Sequence, residues 1–69
     1  MQQVENVRED ARVLYHQGHD EDAIELLRGW LCRYPDDASG WEIIAAAYFN
    51  LRHYPEAESA ARRAVELWP

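Results

Sequence analysis

The densest run of side chains capable of chemistry is His16-Gln17-Gly18-His19-Asp20-Glu21-Asp22, imidazoles followed by carboxylates. Such groups are the donors of zinc sites, but a working pair needs a fixed geometry, such as His at i and i+4 on one helix face. Here Gly18 separates the two His and implies a turn. The run therefore reads as a solvated turn leading into the acidic start of a helix, and no metal is expected. Cys32 stands beside Arg33, late in a helix-like segment, with no His at helical spacing to activate it. Glu21 and Glu25 lie one helical turn apart on what should be a wet face. No Gly-rich phosphate loop occurs. The chain is therefore expected not to be an enzyme, with no catalytic residue and no cofactor.

A second group points to recognition. Arg8, Arg12, Tyr15 and His16 fall on one side of a helix, away from Val7, Ala11 and Leu14. Guanidinium groups flanked by aromatic rings can hold a carboxylate and an apolar anchor of a peptide. The competing reading is an ordinary solvated face.

Composition narrows the partners. The net charge of −6 leaves no basic stripe for a nucleic acid and disfavours anionic membranes. All the basic residues are Arg, each able to grip a carboxylate with two hydrogen bonds. A single cysteine allows no intrachain disulfide and fits a reducing compartment. No apolar run is long enough for a membrane span, and no basic-then-apolar leader is present, so the cytoplasm is the default expectation. A hydrophobic fraction of 48% is ample for folding. With 69 residues the chain should form one small domain with a thin stability margin.

These groups are carried by elements that repeat. At an offset of about 34 residues, Ala11 meets Ala45, Ala23 meets Ala57 and Arg28 meets Arg62; Tyr34-Pro35 meets Trp68-Pro69. Tyr15 meets Phe49, Leu14 meets Tyr48 and Leu31 meets Val65. Each half reads as helix, turn, helix. In the first, Val4, Val7, Ala11 and Leu14 follow helical spacing, Gln17-Gly18-His19 interrupts, and Asp20 is the expected N-cap of the next helix. Ala23, Ile24, Leu27, Trp30 and Leu31 form its apolar stripe, Pro35 stops it, and Asp36-Asp37 offers the following cap. In the second half, Trp41, Ile44, Ala45 and Tyr48 form a stripe and Leu51 to Tyr54 turn. Pro55 suits a first helical turn, and Ala57, Ala61, Ala64, Val65 and Trp68 carry the last helix to Pro69. No strand is expected.

Trp41, Ile44-Ala45, Tyr48, Ala57, Ala61, Ala64 and Pro69 stand at the spacing of the tetratricopeptide repeat (TPR) signature, which the second half resembles closely. The first half matches more loosely, with Asp10 in place of the signature's Leu and Trp30 in place of a small Ala. Either the first hairpin packs more loosely, or Trp30 turns toward a neighbour. The resemblance implies an all-α fold, one TPR domain over residues 1–69 with repeats of about 4–37 and 38–69, forming a short right-handed α-solenoid. Losing Trp41 from such a core should cost roughly 3–5 kcal/mol.

By the same resemblance, the chain is expected to bind a peptide or partner protein on a concave face. That face would carry Glu5, Arg8, Arg12, Tyr15 and His16 from the first repeat, and Glu42, Ala46, Phe49 and Asn50 from the second. TPR domains that clamp acidic chaperone tails use a Lys/Asn set there; this chain has Arg8, Arg12 and, for one Asn, Ile43. Stacked hairpins share a core, and about three repeats are usual, so a two-repeat chain leaves an end open. The alternative function is self-association through that end, by Ala61, Val65 and Trp68.

Overall fold

The computed structural model describes residues 3–67, with side chains from residue 7 onward. Four helices follow in order: α1 (Gln3–His16), α2 (Asp20–Arg33), α3 (Ala38–Asn50) and α4 (Tyr54–Leu67). The described residues contain no strand. Helix α1 packs on α2 and α3 packs on α4, so each half is a helical hairpin. Helix α3 joins the hairpins by packing on α2 and, less extensively, on α1. Val4 and Glu5, as side chains, and Trp68 and Pro69 lie outside the described residues.

The turn inside each hairpin is built the same way. After α1, Gly18 adopts φ +87°; after α3, Arg52 adopts φ 65° at the equivalent place. His19 N–H donates to the Leu14 carbonyl at 2.8 Å, and His53 N–H to the Tyr48 carbonyl at 2.9 Å. Gly18 N–H reaches the Tyr15 carbonyl at 3.1 Å and Arg52 N–H the Phe49 carbonyl at 2.9 Å. This double return is a Schellman motif, which satisfies the last carbonyls of a helix and requires one left-handed residue. Glycine adopts that conformation without strain, whereas the Cβ of Arg52 works against it. In the second turn the His53 imidazole stacks on Tyr48, with ring centres 6.1 Å apart, and closes the motif.

The α2 stripe sits where helical spacing put it, with Ala23, Ile24, Leu27, Trp30 and Leu31 all buried. Ala11 is buried, with Val7 and Leu14 packed against the same core. Trp41 and Tyr48 are half-buried beside Ile44 and Ala45. Ile43 and Ala47 are buried as well, beyond the expected stripe. The reason is that α3 is covered by α1 and α2 on one side and by α4 on the other. In α4 the core residues are Ala57, Ala60 and Ala64, while Ala61 and Val65 face solvent; the expected stripe was turned by about one residue.

Two expected caps are corrected. Asp20 is the first residue of α2 and His19 occupies the cap position, with no side-chain capping bond. Asp37 does occupy the cap position of α3, but its carboxylate makes no capping bond. That carboxylate accepts hydrogen bonds from Arg8 and Trp30 instead.

The Trp at position 30 is accommodated at the crossing of α2 and α3. A Cβ on Gly40 would come within 3.0 Å of Leu31 Cδ2, 3.2 Å of Asp37 Oδ2 and 3.4 Å of Trp30 Cδ1. The absent side chain of Gly40 is the space into which the α2 side chains fit. Trp30 is 8% exposed and rests on Tyr34 with ring centres 4.5 Å apart.

Candidate partner-binding surfaces

Arg8, expected on the concave face, is already engaged. One guanidinium nitrogen, Nη1, donates to both carboxylate oxygens of Asp37, at 3.0 and 3.1 Å. The indole Nε1 of Trp30 donates to Asp37 Oδ2 at 2.7 Å. The Asp37 side chain is 11% exposed and that of Arg8 is 36% exposed. Hydrogen bonds to an ionised acceptor shielded from water are the stronger kind. Arg8 thus ties α1 to the start of α3, and a ligand carboxylate would have to displace Asp37 to reach it.

Arg12 is freer. Its nearest acid is Glu9, one turn earlier, with Nε–Oε1 at 3.7 Å on an exposed surface. Contacts of this type contribute little. Tyr15 is half-buried and His16 exposed, their rings 5.2 Å apart. On α3, Glu42 and Phe49 are exposed and Ala46 is half-buried. Asn50 Nδ2 donates to Asp20 Oδ1 at 3.3 Å, linking the end of α3 to the start of α2. Ile43, which stands where the chaperone-tail clamp has an Asn, is buried.

Phe49 is 60% exposed and Tyr54 is 52% exposed, and their rings meet edge to face at 5.4 Å. With Ala45, Ala46, Ala57, Glu58 and Ala61 they line a groove of about 470 Å3 between α3 and α4. Tyr54 was legible only as a turn residue, and the groove depends on helix packing that no local spacing encodes. Val65 is exposed on the same helix as Ala61.

A larger groove of about 720 Å3 runs between α2 and α4 over α3. Trp41, Ile44 and Tyr48 belong to it, with Arg28 and Cys32 from α2 and Arg63 from α4. Trp41 is held there by its Nε1, which donates to the Pro35 carbonyl at 2.8 Å. Arg63 also meets Glu66 at 3.5 Å.

No group of three or more His, Cys, Asp or Glu among the described residues is arranged to hold a metal ion. Glu21 and Glu25 are exposed, as is the Cys32 thiol. Among the described residues no helix is long and apolar enough to cross a membrane. Comparison with protein-family models, curated proteins and solved structures found no match to this chain.

Proposed function

We propose that this chain is a protein-interaction module, two TPR-type hairpins stacked as the beginning of a right-handed α-solenoid, that binds a peptide or partner protein across α1 and α3. The observation that carries the reading is Phe49, a large aromatic side chain left 60% exposed on a frame whose core is complete without it. Aromatic side chains exposed in this way are the usual anchors of protein interfaces. The same hydrogen-bond motif in the turn inside each hairpin supports the TPR resemblance, and the exposed Arg12 and His16 supply polar groups on the first repeat.

Because Arg8 is committed to Asp37, the site offers one exposed guanidinium, that of Arg12, which is only loosely paired with Glu9, rather than two. The peptide it fits has a single carboxylate for Arg12 and an apolar residue for Phe49. The test is fluorescence anisotropy with a labelled peptide panel that varies a C-terminal carboxylate against an amide, each with and without a Leu anchor. Saturable binding that weakens in Arg12→Glu and Phe49→Ala supports the proposal. Binding that ignores both substitutions, or none to any peptide, overturns it.

A second reading is self-association through the open α4 end. It is favoured by Val65, 69% exposed where its repeat counterpart Leu31 is 5% exposed. Ala61 stands in the same contrast to the fully buried Leu27.

A further inference from the structure

The internal repeat reveals what the outer face of the second hairpin is built to meet. In the first hairpin the corresponding face carries Tyr15, Ile24, Leu27 and Leu31, and it shares one core with Ile43, Ile44 and Ala47 of α3. In the second hairpin the equivalent residues are Phe49, Glu58, Ala61 and Val65, all exposed. The same backbone surface is thus covered in one copy and bare in the other.

A second chain could cover it head to tail, by laying its α1 where α3 lies in the first hairpin. The side chains then brought to the contact are the repeat counterparts of Ile43, Ile44 and Ala47, namely Glu9, Asp10 and Val13. Two carboxylates would enter an apolar groove whose rim already holds Glu58. Charges desolvated without partners are costly, and like charges add to the cost.

The same face on two copies has the opposite character. Phe49, Tyr54, Ala61 and Val65 supply exposed apolar surface, with half-buried Ala46 beside them, and Ala61 is small enough to let backbones approach. Glu58 and Arg62 lie one turn apart on α4, their side chains 3.4 Å apart and exposed. A two-fold axis sets a surface against itself, so an acid and a base side by side can each meet the opposite charge on the partner.

We infer that two copies of this chain associate by a closed two-fold contact of their α3–α4 faces, with Glu58 of each copy paired to Arg62 of the other, and not by head-to-tail stacking. The inference rests on the self-association reading and adds to it the geometry of the pair.

The experiment is sedimentation equilibrium of the full chain over micromolar to millimolar concentration, with helicity followed by circular dichroism to confirm folding. The expected result is a monomer–dimer equilibrium that stops at the dimer. Val65→Glu and Phe49→Glu should dissociate it, and Val13→Glu should leave it unchanged. Glu58→Arg alone and Arg62→Glu alone should each weaken the dimer, by about tenfold or more, through like charges facing across the axis. Mixing those two variants should restore it as a heterodimer, because both cross-pairs then oppose in sign. A monomer throughout overturns the inference together with the self-association reading. Growth beyond the dimer, loss of association in Val13→Glu, or no recovery on mixing overturns the two-fold pair while self-association stands.

Discussion

Trp30 and Asp37 meet through a 2.7 Å hydrogen bond from the indole Nε1 to a carboxylate oxygen, across the turn that joins the two hairpins. The same carboxylate receives Arg8 from α1. One acid therefore holds together three elements: the end of α2, the start of α3 and the first helix. Removing it strands a buried indole N–H and a guanidinium. Asp37→Ala should lower stability by about 2–3 kcal/mol, measured by urea denaturation. Trp30→Phe, which loses the bond but keeps much of the ring, should cost less. A loss in Asp37→Ala below that in Trp30→Phe would show that the carboxylate is not the junction it looks to be.

Arg52 and Gly18 make a paired prediction, because both take the left-handed position of equivalent turns. Arg52→Gly relieves strain and should stabilise the chain by about 0.5–1 kcal/mol, a rise in Tm of roughly 2–8 °C for a domain of this size. Gly18→Ala introduces the same strain and should destabilise by about 1 kcal/mol. Thermal unfolding of the two variants decides the matter; shifts of the same sign would contradict the repeated turn.

Glycines inside the helices should respond in opposite directions. A Cβ on Gly29 meets nothing within 4 Å, so Gly29→Ala gains helix propensity alone, about 0.5–1 kcal/mol. On Gly40 the Cβ would press on Leu31, Asp37 and Trp30 together. Overpacking of that kind costs about 1–3 kcal/mol, which outweighs the propensity gain. Gly40→Ala should therefore destabilise, and an increase in its unfolding midpoint would disprove the close crossing of α2 and α3.

Trp41 tests the packing of the second hairpin. It is half-buried and its Nε1 bonds to the Pro35 carbonyl. Trp41→Phe should cost about 1–2 kcal/mol, from one lost hydrogen bond and part of the ring contact. Trp41→Ala should cost roughly 3–5 kcal/mol. Equal unfolding midpoints for wild type and Trp41→Ala would mean that the indole contributes no packing.

The two arginines of α1 separate binding from folding. Arg8→Glu places a carboxylate beside Asp37 and should destabilise the chain, whereas Arg12→Glu should leave stability within about 0.5 kcal/mol and affect peptide binding alone. Denaturation curves and anisotropy titrations of both variants test this. Equal effects on folding would place the two residues in the same role.

What the sequence determined by itself was local. The four helices, their turns and the α2 stripe follow from spacing at 3.6 residues per turn and from Gly18, Pro35 and Pro55, since each depends on neighbours along the chain. The tertiary structure decided which partner each group found. Asp37 sits where a helix cap belongs, yet Arg8, 29 positions earlier, and the Trp30 indole take its carboxylate. Ile43 and Ala47 are buried because helices pack on both sides of α3, and a stripe drawn for a one-sided helix omits them. Phe49 and Val65 are exposed although their repeat counterparts are more covered, because α3 lies over the first hairpin and no described helix lies over the second. Spacing dictates that a helix has an apolar face; only packing settles what, if anything, covers it.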